Sequence, residues 1–264
     1  MSNSLGGGGV SVKTVLGYST SQISWELLCS GIERAVDNAG EPGSVFSVEA
    51  LPNVVLGCSG LEAFCNEISS MAGAVLKEYS KDLHPEFELG LARFEDVVGV
   101  SEEVCKEIST IREDIKSNTL DRFKKLCSVL GLGAPENYQD LSTLVKVRNG
   151  IVHFRACDLR IVSKEGRITY DHDLPDFYSQ LKGKKYRGRE VVITELEPGE
   201  IEWVTRISTP TMALWAMEAV IGAILYVLEK LPEGELKHTV WNAYRPGDEN
   251  YPTLFHRGLS LLHS

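Results

Sequence analysis

The sequence has no Cys-x2-Cys pair, and none of its cysteines (Cys29, Cys58, Cys65, Cys105, Cys127 and Cys157) stands with histidines at zinc spacing. A structural zinc site of the usual kind is excluded, and neither a metal nor a cofactor is expected. Signatures of several enzyme classes are missing as well. There is no Gly-x4-Gly-Lys-Ser/Thr, no strand-bound Gly-x-Gly-x-x-Gly, no Gly-x-Ser-x-Gly and no His-Glu-x-x-His. No apolar run is long and clean enough to span a bilayer. The best candidate, Met212 to Leu231, contains Glu218, Glu229 and Lys230 and reads as a core helix. The opening MSNSLGGGGV lacks the basic start and apolar stretch of a secretion signal, and its glycines predict a flexible segment over residues 1–19. Scattered cysteines, several on apolar helix faces, then predict a reducing cytoplasm and no membrane partner.

Positive charge is scarce too. Lys and Arg number 27 against 37 Asp and Glu, a net charge of −10. A general nucleic-acid binder is usually basic, so any contact with nucleic acid must come from one local site. The segment Lys182-Gly-Lys-Lys-Tyr-Arg-Gly-Arg189 offers one. Lys184, Lys185 and Arg187 can track phosphates while Tyr186 stacks a base, or the segment is a solvated loop between two elements.

What is present centres on Tyr138 to Cys157, YQDLSTLVKVRNGIVHFRAC. Leu141, Leu144, Val145, Val152 and Ala156 recur at helical spacing. Arg148, Asn149 and His153 interrupt this pattern. At about 100° per residue, Asn149 and His153 lie one above the other, and Arg148 is one step round. A fixed cation, an amide and an imidazole on one edge suit phosphodiester cleavage. Histidine moves a proton near neutral pH, arginine holds a phosphate with a planar fork, and asparagine orients either partner. No metal is required if a ribose 2′-hydroxyl is the nucleophile, which makes RNA the natural substrate. Arg155 adds a phosphate contact or is a surface charge. Gly150 costs up to about 1 kcal/mol inside a helix. Close approach of a substrate and tertiary packing explain it equally well. A second Arg-x4-His, Arg167 to His172, falls in a hairpin pattern. Cys157 stands four residues after His153, but no oxyanion loop accompanies the pair.

With Arg148, Asn149 and His153 in this setting, the stretch resembles the HEPN superfamily of all-helical domains. Its ribonuclease members carry an Arg-Asn-x3-His-like signature on one long helix. GLEAFCNEI (Gly60 to Ile68) looks like an early helix of that fold, and STPTMALWAMEAV (Ser208 to Val220) like a closing one. The resemblance covers three helices. It implies a metal-independent endoribonuclease like HEPN toxins and antiviral defence effectors, with Arg148, Asn149 and His153 catalytic. It also implies a homodimer whose two motifs line one cleft, RNA as substrate, and an antitoxin or sensor as a restraining partner. The early helix packs beside the motif helix in such proteins, so Glu62 or Asn66, four residues apart on one face, can reach the site; a capping box already accounts for Glu62, which makes Asn66 the candidate substrate contact. The acidic balance also fits a HEPN-like module without catalysis that binds a nucleotide or a protein. The position of Lys184, Lys185 and Arg187 relative to His153 distinguishes the two.

The expected fold is mainly α: a HEPN-like helical bundle over residues 20–231, with small antiparallel β-hairpins inserted at about 158–207. Residues 232–264 form a tail, carrying Trp241, Tyr244 and Phe255, packed on the domain. The first helix is predicted over Ser21 to Asn38, with Ile23, Leu27, Ile32 and Val36 inward. Ser44 to Leu56 is β-rich and broken by Pro52, which suggests an extended connection or edge strand. A capping box, Ser59-Gly-Leu-Glu62, starts the second helix. Ser101 caps a third, and Asn118 or Thr119 a fourth, with Leu120, Phe123, Leu126 and Leu130 inward. Hairpins are predicted around Glu165-Gly166 and around Glu197-Pro198-Gly199. A short helix spans Pro175 to Leu181, and Thr209-Pro210 opens the last long helix.

Overall fold

The structure is a computed structural model that describes residues 25–35, 46–80, 84, 87, 89–90, 92–113, 118–153, 160–164, 167–171, 174–193 and 203–244. It is mainly helical, with two short antiparallel hairpins. Residues 25–35 form α1. Then follow α2 (Ala50–Glu78), α3 (Phe94–Val98), α4 (Glu102–Thr110) with a 3-10 turn at Ile111–Glu113, α5 (Thr119–Val129) and α6 (Tyr138–Val152). The hairpin β1 (Arg160–Lys164) and β2 (Arg167–Asp171) precedes α7 (Tyr178–Leu181) and the hairpin β3 (Lys185–Tyr186) and β4 (Arg189–Glu190). The chain continues through α8 (Trp203–Ile207), α9 (Pro210–Lys230) and α10 (Glu235–Tyr244).

Two helices organise the core. α2 is 29 residues long, roughly 44 Å at 1.5 Å per residue. It packs against α4, α5, α6, α9 and α10. Leu61, Phe64 and Ile68 of α2, Met217, Val220 and Ile224 of α9, Leu141, Leu144 and Val147 of α6, and Phe123 and Leu126 of α5 are all fully buried. Each such side chain contributes roughly 1.5–3 kcal/mol of apolar burial. α9 is long and apolar enough to cross a membrane, yet 72% of its most apolar window is buried inside the protein. It is the core helix that its charged residues suggested.

Local capping fixes several boundaries where the sequence placed them. Ser101 Oγ accepts from Val104 N at 3.3 Å, Asn118 Oδ1 from Asp121 N at 3.0 Å, and Thr209 Oγ1 from Met212 N at 2.9 Å. The two strands expected on either side of Glu165-Gly166 also pair, with Arg160 opposite Asp171 and Lys164 opposite Arg167, while residues 165–166 themselves lie outside the described residues.

Elsewhere packing overrides the local signal. α2 begins at Ala50, not Ser59, so the expected strand and the capping box are both absent. Pro52 occupies the first turn, where a missing N–H costs nothing because that group has no intrahelical acceptor. Val54 and Cys58 are buried on the same stripe as Leu61, and this burial outweighs the few tenths of a kcal/mol that valine gives up in a helix. α1 is rotated from expectation. Trp25, Leu28, Cys29, Ile32 and Ala35 face inward while Leu27 is 49% exposed; Ile23 and Val36 lie outside the described residues.

The second expected hairpin is corrected in part. Its turn at 197–199 lies outside the described residues, but Trp203–Ile207 is helical, with the Trp203 ring edge-on to Phe177 at 5.4 Å. The basic segment instead forms the hairpin β3–β4. Its turn residues Arg187 and Gly188 have φ of 50° and 80°, as a type I′ turn requires. The C-terminal part is not an irregular tail throughout, since α10 docks on α2. Tyr244 is edge-on to Trp25 and Phe64, and its hydroxyl donates to the Glu67 carboxylate. Phe255 lies outside the described residues.

Candidate functional site at the end of α6

α6 stops earlier than its sequence pattern suggests. Val152 is its last residue and His153 caps it, the His153 N–H donating to Asn149 O at 3.0 Å. Leu144 and Val147 anchor this end in the core, which leaves Arg148 and Asn149 half-buried and His153 exposed. Arg148 Nη1 donates to Asn149 Oδ1 at 3.0 Å. Arg155, Ala156 and Cys157 lie outside the described residues.

A second guanidinium stands across a shared carboxylate. Arg148 Nη2 lies 3.7 Å from Glu62 Oε2, and Arg122 Nη1 lies 3.4 Å from Glu62 Oε1. The same Arg122 nitrogen donates to Asn66 Oδ1 at 3.2 Å, and Thr119 Oγ1 donates to Glu62 Oε2 at 3.2 Å. Glu62 and Asn66 are four residues apart on α2, and Thr119 and Arg122 three apart on α5, so each pair shares a helix face. The cluster is the meeting point of α2, α5 and α6. Two arginines meet at one carboxylate, and an imidazole stands one helical turn beyond. This arrangement can hold an anion and move a proton beside it.

The thiols beneath the cluster have another character. Burial pushes the Cys58 thiol up to about 12, with Arg148 only partly opposing it. Burial pushes Cys65 higher still. Both are core hydrophobes, not nucleophiles. The presence of Gly150 has a packing explanation. A Cβ there would meet Phe177 Cε1 at 2.7 Å and Trp203 Cη2 at 3.3 Å. The ring pair from the inserted region presses on the helix backbone.

The basic hairpin sits at the other end of α6. Lys184 Nζ lies 2.6 Å from Asp140 Oδ1 and 5.3 Å from the Trp215 ring centroid, and Trp215 Nε1 donates to Asp140 Oδ2 at 2.9 Å. Asp140 is in the first turn of α6, so it is about 20 Å of helix rise away from His153. Lys185 and Arg187 are exposed on this hairpin, with Arg187 over the Tyr186 ring. The structure therefore gathers Glu62, Asn66 and Arg122 around Arg148 and Asn149, and it holds Lys184 apart from them.

Sequence reading misses Arg122, takes Thr119 only as a possible helix cap, and sets Glu62 behind Asn66. A signal for Arg122 existed, because it lies four residues before the buried Leu126 and three after the buried Thr119, on the inward face of α5. Glu62 was hidden by the false capping box. No family model matches the chain, and no curated protein or solved structure matches it either.

Proposed function

We propose that the protein is a metal-independent endoribonuclease of the HEPN type, acting in the cytoplasm. The observation that carries this reading is the end of α6. There the half-buried Arg148 is hydrogen-bonded to Asn149, and the exposed His153 follows one turn later. In the reaction, His153 takes the proton from a ribose 2′-hydroxyl. The 2′-oxygen attacks the adjacent phosphorus, the bond to the 5′-oxygen breaks, and that oxygen takes a proton from solvent. Arg148 holds the phosphate as charge builds on it, and Asn149 fixes the guanidinium. The product is a 2′,3′-cyclic phosphate. Two protomers pair so that their motifs share a cleft, with Val152, 54% exposed beside His153, in the contact. An antitoxin or sensor protein restrains the activity.

A second reading is a HEPN-like module that binds a nucleotide or a protein without catalysis. One observation favours it: the Lys184 ammonium is engaged by Asp140 at the far end of the helix, which leaves His153 without that cation nearby.

Cleavage of a labelled mixed-sequence RNA in EDTA separates the readings. The nuclease cuts, and both His153→Ala and Arg148→Ala stop it while circular dichroism stays unchanged. Cutting that survives His153→Ala rejects this site, and a wild-type protein that binds RNA without cutting it is the binding module.

A further inference from the structure

We propose that Arg122 is a positioning residue of the same site, one that takes up Glu62 so that Arg148 is left to hold a single phosphodiester. The inference rests on the reading of Arg148 as the phosphate-binding residue. Glu62 is placed against both arginines, Oε1 toward Arg122 and Oε2 toward Arg148. With Arg148 alone the pair would be neutral, and a phosphate would have to displace a carboxylate to reach it. With Arg122 present, Glu62 has a second cation to hold it, and a phosphate can reach Arg148 without displacing the carboxylate.

The geometry assigns the two arginines different tasks. Arg122 is the more enclosed, with 12% of its side chain exposed against 27% for Arg148. One Arg122 nitrogen reaches both α2 acceptors, at 3.4 Å from Glu62 and 3.2 Å from Asn66. Thr119, on the same face of α5, donates to the other Glu62 oxygen at 3.2 Å. α5 thus supplies a cation and a hydroxyl to the carboxylate. Arg148 Nη2, at 3.7 Å, is beyond hydrogen-bond length from Glu62, and its hydrogen bond goes to Asn149 instead. The Arg148 side chain, 27% exposed, remains within reach of an incoming phosphate. Charge-assisted hydrogen bonds of this kind are about twice as strong as neutral ones, so the choice of partner by Glu62 decides how much of Arg148 a ligand can use.

Removal of Arg122 should release Glu62 to close on Arg148. The test measures binding of a 2′-O-methylated oligoribonucleotide, which resists attack by its own 2′-oxygen, alongside cleavage of the unmodified RNA in EDTA. Arg122→Gln is expected to weaken oligonucleotide binding about tenfold, the loss of one charge-assisted contact. Arg122→Lys, which keeps the charge, is expected to retain most of the affinity. The decisive variant is the double substitution Glu62→Gln with Arg122→Gln. Without the carboxylate, Arg148 is free again, and affinity should return to within about threefold of wild type. A purely structural role predicts the opposite, because the double variant removes more contacts than the single one. Thermal melts of all variants report folding separately.

Binding by Arg122→Gln equal to wild type, or a double variant weaker than the single, overturns the assignment of Arg122. If the reversal is seen while wild type cuts no RNA, the ribonuclease reading fails and the role of Arg122 stands. If wild type cuts RNA and the reversal is missing, the role of Arg122 fails alone. A wild-type protein that neither binds nor cuts overturns both.

Discussion

At the first turn of α6, Asp140 accepts from Lys184 at 2.6 Å and from the Trp215 indole at 2.9 Å. At the last turn, Arg148 touches Asn149 and stands 3.7 Å from Glu62, and the imidazole of His153 faces solvent. Both ends bring polar side chains from three segments together. The first end closes: its acid is in the half of the helix dipole that favours it, and the lysine ammonium lies over the ring of a buried tryptophan. The second end stays open, with a half-buried arginine and an exposed imidazole. Charge alone therefore does not mark a site on this helix. What separates the two ends is that Asp140 is held at hydrogen-bond length from two sides, whereas Arg148 stands 3.7 Å from Glu62.

The largest effects should come from exchanging substitutions between the two ends. His153→Ala is expected to lower RNA cleavage by about 10²–10⁴-fold and to shift stability by no more than about 0.5 kcal/mol, since the residue is exposed. Asp140→Ala should do the reverse. It leaves the buried Trp215 N–H without its acceptor, a loss of about 1–3 kcal/mol, and cleavage by the folded protein should persist. Urea melts and single-turnover cleavage on the same preparations would show whether the two columns of results cross. If Asp140→Ala stops cleavage in folded protein, the closed end belongs to the site after all.

Gly150→Ala probes the backbone at the open end. The new methyl would meet Phe177 at 2.7 Å. Overpacking of about 1–3 kcal/mol outweighs the gain of up to about 1 kcal/mol in helix propensity, so a net loss of about 1–2 kcal/mol is expected in a denaturant melt. A stabilised variant would show that the rings yield easily.

The smallest effect concerns Tyr186 on the basic hairpin. Its hydroxyl is buried near Glu218 without a hydrogen bond of ordinary geometry among the described residues. Burial and then the Glu218 carboxylate push its pKa above the ordinary 10.0. Stability held in the neutral hydroxyl is fully present below pH 10 and is lost as the pH rises beyond it. Tyr186→Phe should be neutral or stabilising at pH 7, by up to about 1 kcal/mol, and should flatten the decline in melting temperature above pH 10. A variant as alkali-sensitive as wild type would assign that decline to other groups, such as Tyr244.

The elements legible in the sequence were those fixed by bonds between near neighbours. Ser101, Asn118 and Thr209 announce helix starts because their side chains cap N–H groups three residues on. The start of α2 was illegible because Ser59-Gly-Leu-Glu62 imitates a cap, while α9 and α6, both distant in sequence, demand a continuous helix through it. Trp203–Ile207 reads as strand for the same reason: burial of Trp203 against Phe177, far back along the chain, and of Ile207 in the core favours a helix there. At the site, periodicity placed Arg148 and Asn149 on one helix edge. It was silent about Arg122, because an arginine between apolar residues looks like surface until a carboxylate on another helix is seen to meet it.

The pairing of α2 with α9 also governs how the protein is made. The partner of the apolar face of α2 follows about 150 residues later in the chain. At ribosomal speeds of 5–20 residues per second, that face waits roughly ten to thirty seconds for cover during synthesis. The nascent chain therefore cannot complete its core, or bring Arg122 and Arg148 to rest against a fixed Glu62, until nearly all of it has emerged. A truncated product would carry the Arg-Asn-x3-His sequence without the scaffold that arranges it. It would be sticky before it was active, and an early encounter with a chaperone is part of the expected life of this chain.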